Sequence, residues 1–152
     1  RALGALTKKS STAEKLAQRL ESKELQQNFS LLIIWDGMMA GENSYLGNPI
    51  KAAGYHSPLT NISWRKLDWE AVARIHPDVF LWIENSHQNS DIVRSESNIL
   101  ELQKVPVVKN LESVKAGRVY KTTSGSDWLP GTGLCRAIDK LNKLPIKQHI
   151  NP

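Results

Sequence analysis

LLIIW, Leu31–Trp35, is the stretch that most limits what this chain can become. A strand with one wet face alternates apolar and polar residues. Five apolar residues without a break are buried on both faces, the habit of a parallel sheet with helices packed above and below it. The rest of the chain repeats the theme. A Gly-rich loop, DGMMAGEN, follows the run, and a helix from about Ser44 to Ala53 is stopped by Gly54. Asp68 is placed to cap the helix WEAVARI (Trp69–Ile75), with His76 as its C-terminal cap and Pro77 beyond it. A strand at Val79–Ile83, the polar loop ENSHQNSD and helical material to Lys104 come next. Then follow a strand at Pro106–Lys109, a short helix near Leu111–Ala116, a strand at Arg118–Thr122, a long loop and a final helix, Gly133–Asn142. Upstream, Arg1–Thr7 reads as the tail of a helix broken by KKSS. Thr12 caps a second helix with apolar positions Ala13, Leu16, Ala17 and Leu20. Strands alternating with helices predict an α/β fold, a three-layer sandwich with a mostly parallel central sheet.

At 152 residues one domain is expected, with room for a real core. No apolar run approaches bilayer length, LLIIW being the longest clean one. The chain opens at Arg1 without an initiator Met, which reads as a fragment or processed product, so a missing signal segment says nothing about compartment. The net charge of +5 is scattered beside acids on helices, with no basic run interleaved with aromatics. That pattern reads as a solvated surface rather than a nucleic-acid footprint. The single cysteine, Cys135, excludes an intrachain disulfide, and its place in the stripe Leu134, Cys135, Ile138, Leu141 predicts a small buried hydrophobe.

In open α/β sheets, ligands bind outside the carboxyl ends of the strands. Those ends are Trp35-Asp36, Glu84 to His87, Asn110, and Ser124 to Trp128. The last is the loop TTSGSDWLPGTG, where a tryptophan beside an aspartate suggests an exposed aromatic–acid pair awaiting a cover. Nucleotide and nucleophile fingerprints are missing: Gly131-Thr132-Gly133 runs on to Arg136 where a third glycine is needed, and no GxxxxGK[ST], GxSxG or HExxH occurs. His87, three residues after Glu84, makes at best half a metal site; His56 is a loop residue and His149 lies in the tail. No nucleophile, base and orienter come together, so the residues favour binding over catalysis. The rival is a small α/β hydrolase or transferase using Asp36, Asp127 and Ser124.

Three segments then collect into a resemblance. LDWEAVARIHPDVFLWI (Leu67–Ile83), SVKAGRVYKTTSGSDW (Ser113–Trp128) and GENSYLGNPIKAAGY (Gly41–Tyr55) are similar, in order and separation, to the carboxy-terminal lobe of periplasmic binding proteins for iron–siderophore, haem and cobalamin uptake. They span most of Leu31–Leu141. The loop Ser126-Asp127-Trp128 resembles most the cobalamin-binding branch. Two departures stand out: Gly54-Tyr55-His56 replaces a usual Gly-Gly-x-Asn, and Glu42, with Asn43 beside it, is offset by one from the family's acid.

The resemblance implies two α/β lobes joined by a rigid helix. Residues 1–27 would be the end of that connector and a following helix, 28–152 the carboxy-terminal lobe, and the amino-terminal lobe would be absent from this chain. It implies a monomeric, non-enzymatic solute-binding component of an ABC importer, periplasmic or extracytoplasmic, without a cofactor of its own. Membrane contact would come through the permease or a lipid anchor outside the fragment. The ligand would be a preassembled metal chelate: ferric siderophore, corrinoid or haem. Such a ligand needs flat walls and a few polar groups rather than metal ligands. Trp128 would supply a wall and Asp127 an acceptor, with Ser126 beside them. Trp64 would be a second wall or else a seal on the sheet edge, and Trp35, Asp36, Glu84 and His87 would line the same edge. If the ligand is haem, His87 or Tyr45 would reach iron. Glu42 would dock onto arginines of the permease or be merely solvated.

Overall fold

A computed structural model describes residues 14, 15, 17, 18, 29–144 and 146. Arg1–Thr7, His149 and most of the helix begun at Thr12 lie outside the described residues; Glu14, Lys15, Ala17 and Gln18 are helical and exposed.

Among the described residues one six-stranded sheet organises the fold, in the order β3-β2-β1-β4-β6-β5. Its middle is three parallel strands: β1 (Leu31–Trp35), β4 (Val79–Glu84) and β6 (Val119–Thr123), with Ile33 opposite Leu81 and Leu81 opposite Tyr120. Both faces of this trio are covered, which is why its apolar residues run without alternation. Leu31, Ile33, Leu81, Ile83 and Tyr120 pack on one side with Ile50 of α1 (Gly47–Ala52) and with Ala137 and Leu141 of α5 (Gly133–Asn142). Leu32, Ile34, Phe80 and Val119 pack on the other side. There they meet Val72 of α2 (Trp69–Ile75), Ile99 and Leu102 of α3 (Glu96–Lys104) and Val114 of α4 (Glu112–Lys115). The three-layer α/β sandwich follows from that two-sided burial.

Three short antiparallel strands extend the trio, and none of them is anticipated above. β2 (Met38–Ala40) folds back on β1, β3 (Trp64–Lys66) pairs with β2, and β5 (Val93–Arg94) pairs with β6. The loop read as DGMMAGEN is therefore half hairpin. Asp36 and Gly37 both have positive φ, 52° and 71°, the requirement of a tight two-residue turn that follows the twist of its strands.

The expected strand at Pro106–Lys109 does not form. Val105 to Asn110 coil into turns, with Val108 N–H and Lys109 N–H both donating to the Val105 carbonyl. Pro106 has no N–H to give a ladder, and only Val108 of the segment is buried. There are thus three parallel strand ends, not four, and Asn110 is not one of them. The α2 caps stand as expected: Asp68 Oδ1 accepts from Glu70 N–H, and His76 sits in the left-handed region at φ 46°. Cys135 departs from expectation; it is exposed on α5 while Ala137 and Leu141 carry the buried stripe.

Candidate functional site

β1, β4 and β6 end at one edge, here called the carboxyl edge. Trp35, the last residue of β1, lies on the same face as Ile33 and remains half-buried. Its indole N–H donates to Asn85 Oδ1 at 2.8 Å, so the loop after β4 fixes the ring of the neighbouring strand. Trp64, opposite Ala40 on β3, brings its ring centroid to 6.5 Å from that of Trp35, inclined at 66°. Tyr45 continues the row at 5.8 Å from Trp64 and 54°. Edge-to-face and tilted contacts of this kind suit aromatic quadrupoles. All three rings are partly exposed, and burial holds the Tyr45 hydroxyl above its ordinary pKa. Asp36 is exposed in the turn beside Trp35. The row starts with Trp35 at the carboxyl edge and packs against the core shared with α1 and α5, which covers the three rings only in part.

The structure corrects the reading of the loop after β6. Trp128 is 0% exposed and belongs to the core with Leu31, Tyr120 and Leu141. Asp127 is 3% exposed, and its two carboxylate oxygens are held by Arg136 Nε and Lys140 Nζ, each at 2.6 Å. Burial alone would push this carboxyl up; hydrogen bonds from Lys140 and Arg136, and their charges, bring it below the ordinary carboxylate value. The expected indole wall and carboxylate acceptor are therefore inside the lobe, not on its rim. Ser126 is exposed, with its Oγ within reach of Asn89 Nδ2 and Arg136 Nη2.

Glu84, the last residue of β4, and His87, on the loop after it, are exposed, Glu84 lying 3.7 Å from Lys121 Nζ. Among the described residues no group of three His, Cys, Asp or Glu is placed to hold a metal ion. Nor does the enzyme triad assemble. Ser124 Oγ donates to the Ser86 carbonyl and accepts from the Ser86 N–H, while Asp127 is engaged by its two cations. Asp36 follows β1, two strand spacings (about 10 Å) across β4 from the β6 end that carries Ser124.

Glu42 lies away from this edge. β2 runs opposite to β1, so the loop after Ala40 emerges toward the amino ends of the parallel strands. Glu42 is exposed there and Oε2 accepts the Asn61 N–H at 3.3 Å. Gly41 is forced, since a Cβ would collide with the Ile62 carbonyl. Glu42, Asn43, Lys51 and His56 surround a shallow pocket of about 380 Å³.

Sequence reasoning missed Asn85, Asn89, Arg136 and Lys140. The last two left a signal: spaced four apart, they share one helical face and both reach Asp127.

The geometry can now be set beside known proteins. A family profile described as "Periplasmic binding protein" matches residues 1–125. No curated protein matches the chain. Among the solved structures that share its fold, three illustrate the likeness. An ABC transporter substrate-binding protein from Listeria monocytogenes EGD-e is 18% identical, with 93% of this chain and 60% of that chain covered and a TM-score of 0.55. An ABC-type Fe3+-hydroxamate transport system from Saccharomonospora viridis DSM 43017 is 16% identical, with coverage of 94% and 49% and a TM-score of 0.55. The periplasmic heme-binding protein HutB of Vibrio cholerae is 18% identical, with coverage of 91% and 58% and a TM-score of 0.54. The chain spans less than two thirds of each of these proteins, as one α/β lobe would. With more than four fifths of its length matched by the family profile, the chain belongs to the periplasmic binding protein family.

Proposed function

We propose that this chain is the carboxy-terminal lobe of an extracytoplasmic solute-binding protein that captures a metal chelate and hands it to an ABC importer. The chelate is a ferric siderophore or haem, held between this lobe and a preceding one, and no reaction is catalysed. The observation that carries the reading is the partly exposed aromatic row Trp35–Trp64–Tyr45, which begins at the carboxyl edge with Trp35 and is anchored there through Asn85. A chelate already holds its metal, so a flat wall with flanking polar groups is what recognises it. Asp36, Glu84, His87 and Ser126 are exposed polar groups at that edge, with Asn85 and Asn89 among them. The names of two fold relatives, one for Fe3+-hydroxamate and one for haem, support the ligand class. Trp128 and Asp127 of the Ser-Asp-Trp loop are buried and so are not counted among the ligand contacts.

The test is titration of the full-length protein with haemin and with a ferric hydroxamate, followed by tryptophan fluorescence. Covering a half-open indole is worth roughly 1.5–3 kcal/mol, so Trp64→Ala should weaken binding tenfold or more. Equal affinity in wild type and variant would remove the row from the site. A Soret band that shifts in His87→Ala or Tyr45→Phe would make haem the ligand and assign its iron contact. Glu42, exposed at the opposite end of the strands, is the proposed permease contact. Glu42→Lys should abolish uptake and leave ligand affinity intact; normal uptake would reassign that role.

A further inference from the structure

The loops that follow β4 and β6 are bonded to each other along their length, almost entirely through small polar side chains. Ser86 N–H donates to Ser124 Oγ at 3.0 Å, Ser124 Oγ donates back to the Ser86 carbonyl at 2.9 Å, and Gly125 N–H reaches the same carbonyl at 3.1 Å. Thr123 Oγ1 donates to the Gln88 carbonyl at 2.6 Å, and Thr123 N–H donates to Ser90 Oγ at 2.9 Å. Asn89 spans the gap with both ends of its amide: Oδ1 accepts the Asp127 N–H at 3.2 Å and Nδ2 donates to Ser126 Oγ at 3.3 Å. Gly125, at φ 40°, leaves room for that amide; a Cβ there would collide with Asn89 Oδ1.

Two charges close the arrangement. Lys140 Nζ, its side chain 13% exposed, donates at 2.6 Å both to Asp127 Oδ2 and to the Ser90 carbonyl. One ammonium thus touches the loop after β6 and the loop after β4 from a seat on α5. Arg136 holds the other carboxylate oxygen but is 58% exposed, so it is the weaker arm. Without the Asp127 charge, Lys140 would be a nearly buried cation with only a carbonyl for company, and it would withdraw toward water. The link to Ser90 would go with it.

We infer that Asp127 and Lys140 are positioning residues: they lock the loops after β4 and β6 into one preformed rim along the carboxyl edge. This rests on the reading of that edge as the ligand-facing one. Asn85, which fixes the Trp35 indole, lies in the first of these loops, so the lock extends to the aromatic row. A rim ordered in advance spares the ordering cost otherwise met at each capture.

The test is amide hydrogen exchange in the full-length protein without ligand, comparing wild type, Asp127→Asn and Lys140→Met. Asparagine keeps the shape and drops the charge. Methionine keeps the apolar stem and serves if the first variant folds poorly. The amides of Ser86, Thr123, Ser124, Gly125 and Asp127 should exchange at least about tenfold faster in both variants, and by a larger factor than those of Ile34 and Leu81, whose acceleration reports the global loss of stability. Uniform acceleration across the sheet, or unchanged loop amides, overturns the lock. Haemin and ferric hydroxamate titrations of the wild type form a separate arm. Absence of binding to both sinks the functional reading, and the exchange result judges the lock alone.

Discussion

Two corners of this lobe pair a tryptophan with an adjacent aspartate at the end of a central parallel strand, and they have opposite fates. Trp35-Asp36 follows β1: the indole is half-open and the carboxylate is in water. Asp127-Trp128 follows β6: the indole is fully enclosed and the carboxylate is clamped by two cations. Residue type and strand end do not distinguish them. What differs is the element that comes next. After Trp35 the chain turns back through Asp36-Gly37 into β2, which lies in the sheet and leaves its face open. After Trp128 the chain enters α5, which lies over the sheet and closes on the ring. An acid–aromatic pair is thus a poor guide to exposure until the following element is known.

The comparison breaks most visibly in stability. Trp128→Ala should cost about 3–5 kcal/mol in denaturant unfolding, because a large core side chain leaves a void. Trp35→Ala should cost no more than about half of that and show its effect in ligand affinity instead. Equal losses would mean that the two corners are the same kind of site. Asp127→Ala comes next, at about 3 kcal/mol, since it strands a nearly buried ammonium; this is the low end for a broken buried pair because Arg136 is largely in solvent.

Acid sharpens the contrast further. Asp127 has a folded-state pKa below its unfolded value of about 4, so its contribution is fully present above that value and is lost as pH falls below it. The stability gap between wild type and Asp127→Asn, followed by denaturant melts from neutral pH downward, should hold steady to about pH 4 and narrow below it. A gap that does not change with pH would deny the carboxylate its ionic role. The smallest effect belongs to Asp36→Asn, where asparagine tolerates the positive φ: a change within about 0.5 kcal/mol. A larger loss would reveal a structural anchor in the turn.

The legible parts of the fold are those whose burial is two-sided. LLIIW, VFLWI and RVYKT show as strands in the sequence because apolar residues face both helical layers, and α2 and α5 keep their boundaries because caps and glycines mark them. The added strands do not show: MMA, WRK and VR are two or three residues long, too short for alternation to be seen. Asp36-Gly37 is the one local signal for β2, a turn dipeptide between apolar runs, and it passes for loop until the pairing is known. VPVV misleads in the opposite direction, its apolar content suggesting a strand that Pro106 cannot ladder. At the candidate site, Trp35 is legible as a strand-end aromatic, while Trp64 reads as a loop residue because β3 does not show. The burial of Trp128 is not, because it depends on α5 folding back over the loop, and Asp127 finds its partners nine and thirteen residues downstream.

The sheet's outermost members have a consequence for how the lobe behaves in company. β3 carries Arg65 and Lys66, both exposed, and β5 is only Val93 and Arg94. A strand so brief, and studded with cations, offers a poor template for a stray chain seeking backbone partners. Lateral growth into aggregates is discouraged on both flanks, even though the sheet carries a partly exposed aromatic row.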